Sequence, residues 1–254
     1  MARSIFSPSQ NPHPTELELR YLLRHLQHDF MSDLIEARAG LELVLNDKFL
    51  EAEGKKKDYL KDTLVHVGHT QSIAYAVATM ENKPRHHAEF EFTSLASRLV
   101  NTNNVKYRKG SKLIVTASEY LTIDNFQSVL YMQLFNFVQN AQKTHRAAGK
   151  SHTQIQLKAQ AESLTPDHLE YLGKHQERYT SSDQFVCISV IDQGEGIPPE
   201  KISTIFSPKT DLTQGVGLAL VDYVCDILHG FIIVESEVNS GSNFSLYIPQ
   251  NNKN

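Results

Sequence analysis

Val190-Ile191-Asp192-Gln193-Gly194-Glu195-Gly196-Ile197-Pro198 is the stretch on which the architecture of this chain turns. It closes an apolar run beginning at Phe185 and is echoed downstream by Gly215-Val216-Gly217-Leu218. An aspartate at the end of a buried strand can accept a hydrogen bond from an exocyclic amino group such as that of adenine. Glycines beside it let a flat base lie against the backbone. The pattern predicts a pocket for ATP, with Asp192, Gly194, Gly196, Gly215, Gly217 and Leu218 on its walls.

Upstream, Asn136-Phe137-Val138-Gln139-Asn140-Ala141-Gln142-Lys143 places two carboxamides one helical turn apart on one face, with Lys143 three residues further on. Carboxamide oxygens suit Mg²⁺ and an ammonium suits phosphate, so Asn136 and Asn140 are the candidate metal ligands and Lys143 the candidate phosphate contact.

The strands expected around this pocket are Glu89 to Phe92, Lys112 to Ala117, Ile155 to Ala159, Phe185 to Ile191, Phe231 to Glu237 and Phe244 to Ile248. Helices are expected near Leu95 to Asn101, Asn125 to Ala148, Pro199 to Ile205 and Val216 to His229. The order is not a strict alternation, which predicts an α+β sandwich with a mixed sheet covered on one face. The stretch from Leu164 to Ser182 reads as a surface excursion containing a short helix, with no chemistry assigned to it.

The front of the chain has a different period. Leu19, Leu23, Leu26, Phe30, Leu34, Ala37, Leu41 and Val44 recur in steps of three and four, and a second stripe runs through Leu60, Leu64, Val67, Ala74, Val77 and Met80. Two such helices cannot enclose both stripes, so a homodimer forming a four-helix bundle is expected. The alternative is a hairpin packed on its own C-terminal domain. The division follows: a flexible N-terminus over 1–14, a helical hairpin over 15–82, and a sandwich domain over 83–254 that starts after Asn82-Lys83-Pro84.

Composition narrows the partners. With 254 residues, 40% of them hydrophobic, the chain can bury one large or two modest cores, and a net charge of −4 gives no basis for binding nucleic acid. Neither a secretory signal nor a membrane-spanning run is seen, so no membrane insertion and a cytoplasmic location are expected. The 2 cysteines, Cys187 and Cys225, read as buried small hydrophobes.

On the first helix, His28 lies opposite the midpoint of Leu26 and Phe30 at about 100° per residue, so its ring is expected to face solvent. Asp29 can hold the imidazole Nδ1 proton and orient the ring, and Ser32 shares the exposed face. Taken alone, these side chains read as a solvated pair without chemistry. Histidine pairs three apart, His25 with His28 and His66 with His69, have no third metal ligand nearby and read as surface or interface groups.

Together the segments resemble the two-component sensor histidine kinases, from about Thr15 to Pro249. His28-Asp29-Phe30 with Leu34, Gly40 and Leu41-Glu42-Leu43 resembles their histidine box, and Asn136 to Lys143 their N box. Asp192 to Gly196 resembles the first glycine box, Phe206 the F box, and Gly215 to Leu218 the second glycine box. The resemblance implies a dimeric helical bundle joined to a Bergerat-fold ATP-binding domain, with ATP and Mg²⁺ as cofactors. By it, Asp192 contacts adenine, Asn140 holds Mg²⁺ with Asn136 beside it, Lys143 touches phosphate, and His28 attacks the γ-phosphate. The phosphoryl group then passes to an aspartate on the receiver domain of a separate response regulator, with input from a separate sensory protein or a very small N-terminal region. Departures include Ser32 for the usual Thr or Asn, Asp33 for a proline, Ala219 for the last lid glycine, and Met132 for a Glu or Gln before the first asparagine. Two rival functions share parts of this pattern. One is a histidine phosphotransferase whose kinase-like domain binds no ATP and only relays phosphate. The other is a Bergerat-fold ATPase or serine kinase, whose relatives lack the exposed His-Asp pair.

Overall fold

The computed structural model describes residues 2–6, 35–37, 39, 62–63, 67, 88–107, 110–118, 120–150, 153–172, 179–180, 183–202, 204–206, 218 and 221–250. Of the expected hairpin over 15–82, the described residues are helical and Ala37 and Thr63 are buried, but the other stripe residues except Val67, along with His25, His28, Asp29, Ser32, His66 and His69, lie outside them.

A sheet of six strands in the order β1-β7-β8-β6-β5-β3 joins Ala2–Phe6 to strands from residues 112–249. In sequence these are β1 (Ala2–Phe6), β3 (Lys112–Ala117), β5 (Gln154–Ser163), β6 (Gln184–Ile191), β7 (Phe231–Glu237) and β8 (Gly241–Pro249). Only β3 and β5 run parallel; the other neighbours are antiparallel. A separate two-stranded ribbon pairs β2 (Ala88–Glu91) with β4 (Thr122–Asn125).

Three helices cover one face: α1 (Phe92–Lys106), α2 (Gln127–Ala147) and α5 (Val221–Ile227). Along β6 every second residue, Val186, Ile188 and Val190, points into this layer, as the two-residue period of a strand requires. α2 carries no proline or glycine over its 21 residues and buries Leu130, Leu134, Phe137, Val138 and Ala141 at helical spacing. Truncating one such leucine to alanine costs roughly 2–5 kcal/mol. The helix stops in a Schellman turn: the Lys150 N–H donates to the His145 carbonyl at 2.7 Å and the Gly149 N–H to the Arg146 carbonyl at 3.1 Å. Gly149 has φ +69°, a conformation that favours residues without Cβ.

The opposite face is also covered, which corrects the expectation of a sheet covered on one side. Phe185, Cys187, Phe231, Ile233 and Tyr247 project there and are buried with Leu164, Leu172 and Tyr179 from the 164–180 excursion. The excursion includes α3 (Pro166–Leu172), and its His168 ring packs edge-on to Tyr247 at 5.2 Å. Five apolar side chains on one side of a sheet need a cover, and these residues supply it.

Other boundaries differ locally. Phe92 begins α1 instead of ending a strand, because its N–H donates to the Leu121 carbonyl at 2.9 Å while its ring is fully buried. The helix after the glycine loop is the short α4 (Pro199–Ile202), and α5 (Val221–Ile227) ends two residues before the expected His229. Ala2–Phe6 is a strand hydrogen-bonded to β7, from Ala2 opposite Ser236 to Phe6 opposite Ile232, where a flexible segment over 1–14 was expected. Backbone pairing along an open sheet edge overrides the weak local signal of these residues.

Candidate functional site

β6 delivers Asp192 into a loop that is tied on every side. The Asp192 N–H donates to the Ser242 carbonyl on β8 at 2.9 Å, and its Oδ1 accepts the Gly194 N–H at 2.7 Å. Asp192 is buried, and desolvation raises its carboxyl above the ordinary range, with hydrogen bonds from Gly194 and Ser242 and the charge of Lys150 opposing that shift.

The β7–β8 hairpin forms the floor of the loop. The Ile197 N–H donates to Ser236 Oγ at 2.8 Å, and the Asn239 N–H donates to the Glu195 carbonyl at 2.7 Å. Gly196, at φ +70°, lies so close to the Glu237 carbonyl that a Cβ could not be accommodated. Gly241, at φ +107°, abuts the Asp192 carbonyl in the same way. Gly241 was not among the sequence candidates, because it stands almost fifty residues from the loop it supports.

α2 forms the other wall. Asn136 and Asn140 are half-buried on one face, and Lys143 is exposed a turn beyond. The Nδ2 of Asn136 is buried without a hydrogen-bond partner among the described residues, as are both amide atoms of Gln133 one turn earlier. Orphaned buried amides of this kind are rare in folded proteins. Met132, where the resembled family has a Glu or Gln, is buried, as is Gln133 beside it. The carboxamide oxygens of Asn136 and Asn140 are hard donors of the kind Mg²⁺ takes alongside phosphate and water, so the donor set fits that ion.

Below these residues the C-terminal turn of α2 meets the Asp192 loop. His145 is fully buried, its Nε2 2.9 Å from the Gln193 backbone nitrogen and 3.9 Å from Asp192 Oδ1. Asn140 lies five residues up the same helix, about 7 Å along its axis. The site is therefore one wall of carboxamides and one acidic loop, joined at their base.

Phe206 is buried in the core beneath the helices, and Leu218 is half-buried against the same core. Gly215 and Gly217 lie outside the described residues. An open cleft of about 720 Å³ lies on the outer side of the glycine loop, lined by residues including Glu195, Ile197, Lys201, Ile205 and Val238. It includes neither Asp192 nor the asparagines, and it shares Gly196 with the loop of the site described above. No group of three or more His, Cys, Asp or Glu side chains that could hold a metal occurs among the described residues.

Residues 127–252 match the family described as histidine kinase-, DNA gyrase B-, and HSP90-like ATPase. Among curated proteins, the chain is 19% identical over 237 residues to the heme sensor protein HssS of Staphylococcus saprophyticus, covering 89% of this chain and 46% of that one. It is 39% identical over 72 residues to a probable C4-dicarboxylate sensor kinase of Halalkalibacterium halodurans, covering 27% of this chain and 14% of the relative. It is 40% identical over 70 residues to the sensor histidine kinase ZraS of Escherichia coli, covering 26% and 15%. The chain thus spans less than half the length of these relatives. Among solved structures, full-length ShkA in complex with AMPPNP aligns over 96% of this chain and 46% of its own, at 20% identity and a TM-score of 0.51, a likeness of fold.

Proposed function

We propose, from the premise that this chain belongs with the two-component sensor histidine kinases and carries their ATPase domain, that it is an ATP-dependent protein histidine kinase. In this reading it phosphorylates itself on His28 and passes the group to an aspartate on the receiver domain of a separate response regulator. The observation that carries the reading is Asp192, buried at the end of β6 with its carboxylate held by the Gly194 N–H and an asparagine-bearing helix as the facing wall.

Each group then has a physical task. Asp192 accepts the adenine amino group, and the Gly194–Gly196 backbone takes the face of the base. Asn140 and Asn136 hold Mg²⁺, which supplies neutralisation of charge on the phosphates. Lys143 adds a point charge, and the backbone at Gly215, Gly217 and Leu218 approaches the triphosphate. Asp29 orients the His28 imidazole, whose ring nitrogen attacks the γ-phosphorus as the bond to the ADP oxygen breaks. Ser32 lies beside the phosphorylated ring. The helical hairpin of residues 15–82 pairs two copies, and a separate sensory protein supplies the signal. No helix among the described residues is long and apolar enough to cross a membrane, and the proposed setting is the cytoplasm.

The test is labelling with Mg-ATP. The protein acquires an acid-labile, base-stable phosphate that His28→Gln abolishes. Label surviving in that variant moves the acceptor, with His25 first to examine. Absence of an ATP-dependent thermal shift favours the relay phosphotransferase.

A further inference from the structure

We infer that His145 is a positioning residue for nucleotide recognition: with Lys150 it holds the backbone of Gln193 by both its N–H and its carbonyl and so fixes Asp192 for the adenine amino group. The inference rests on the ATP-binding reading of the same site and adds to it a group that does not itself touch the nucleotide.

The geometry is specific. The Gln193 N–H donates to His145 Nε2 at 2.9 Å, and Lys150 Nζ donates to the Gln193 carbonyl at 2.9 Å. Both clamps come from the end of one helix, because the Schellman turn at Gly149 sends Lys150 back over the His145 carbonyl. The Gln193 peptide follows Asp192 directly, so its position sets where the carboxylate points. Gly194 on the far side packs against Thr144 of the same helix.

The hydrogen-bond network fixes the tautomer. Nε2 can accept the Gln193 N–H only if it carries no proton, which puts the ring hydrogen on Nδ1. Nδ1 lies 2.7 Å from Ser111 Oγ and 2.8 Å from Thr153 Oγ1. Both hydroxyls donate onward to the Lys150 carbonyl, at 3.3 and 2.9 Å, leaving each able to accept from the ring. Every donor in this chain has an acceptor.

Protonation breaks the arrangement. An imidazolium has no lone pair for the Gln193 N–H, and its new Nε2 proton finds Asp192 Oδ1 at 3.9 Å as the nearest carboxylate. The charged groups facing the ring are Asp192 from the β6 loop and Lys150 from the helix end, while the residues just before β3 and β5, Ser111 and Thr153, contribute hydroxyls. Burial first, and Lys150 second, hold the His145 pKa below its ordinary value of 6.5 and keep the acceptor form in place near neutrality.

A histidine that merely fills space predicts lost stability and nothing else; a positioning histidine predicts three further signs. First, His145→Leu binds ATP about tenfold more weakly, the worth of one hydrogen bond at a buried site, while its affinity for GTP changes little. Second, His145→Gln, which retains an acceptor oxygen, restores most of the ATP affinity. Third, ATP affinity of the natural protein falls as pH drops below the ordinary histidine range more steeply than that of His145→Gln, which provides the baseline for titration of the nucleotide itself. In nucleotide-free protein, hydrogen exchange at the Gln193 amide accelerates in His145→Leu. A folded His145→Leu protein with natural ATP affinity and a protected Gln193 amide overturns the positioning role alone. Failure of the natural protein to bind ATP overturns the functional reading beneath it.

Discussion

The two faces of the main sheet are built from the same strands and do different things. The helix-covered face is mostly aliphatic along β6, β7 and β8, with Val186, Ile188, Val190, Val234 and Leu246 under α1, α2 and α5 and one ring, Phe244, stacked on Phe137 at 5.1 Å, and the residues of the candidate site gather at its end. The opposite face splits in two. One half is aromatic, where Phe231 stacks on Tyr247 at 4.7 Å and Tyr179, Phe185 and Phe231 meet edge-on or tilted. The other half is polar, where Ser189 bonds Ser245 at 2.8 Å and the Asn243 amide donates to Glu235 at 3.2 Å. The difference teaches that the candidate site belongs to one layer, while the aromatic half of the other layer packs apart from it.

The sharpest way to break this division is Phe231→Ala. Loss of that ring costs roughly 3–5 kcal/mol in denaturant unfolding, with ATP affinity per folded molecule unchanged; a parallel loss of affinity means the faces are coupled. Asp192→Ala is the converse. It weakens ATP binding roughly 10- to 100-fold, as for a charged hydrogen bond of about 1.5–3 kcal/mol, while the unfolding midpoint holds or rises, since a desolvated carboxylate has been removed. Asn140→Ala is expected to weaken nucleotide binding in Mg²⁺ more than in its absence, measured by the same titration.

Acid sharpens the comparison from another side. His145 has a lowered pKa in the folded protein, so as pH falls below 6.5 the unfolded chain takes up the proton first. Stability is present above 6.5 and is lost as pH falls toward the folded value. Asp192, raised by burial, has the opposite sign: its penalty appears as pH rises through its folded value and is relieved in stronger acid. Unfolding followed between pH 7 and 5 should show the first effect, and His145→Gln should flatten it. On the aromatic face, burial pushes the Cys187 thiol up to about 11, so thiol reagents at neutral pH should leave it unmodified until the protein unfolds. The smallest effect belongs to the polar half, where Asn243→Ala should cost less than about 1 kcal/mol.

The glycine loop could be read from sequence because its chemistry is local: Asp192, Gly194 and Gly196 lie within five residues and each is found where the loop needs it. The long helix was equally plain, expected over Asn125 to Ala148 and observed over Gln127–Ala147, since an uninterrupted helical period over five turns has no competing pattern. What escaped depended on distant partners. His145 and Lys150 matter only because the fold brings Gln193 to them, and nothing in the Thr144-His145-Arg146 stretch announces that meeting. β4 is four residues long with Ile123 as its single apolar side chain, too little to stand out. The covered second face was missed because the apolar residues that close it, Leu164, Leu172 and Tyr179, are spread thinly through a charged excursion.

The placement of Ala2–Phe6 along β7 has a practical corollary. These five residues occupy hydrogen-bonding positions that would otherwise present a bare ladder of amides and carbonyls, the kind of border through which sheets fuse with one another. Shortening the polypeptide by its first half-dozen residues should therefore promote self-association through that border, visible as larger species in sedimentation. An expression tag is better carried at the other terminus.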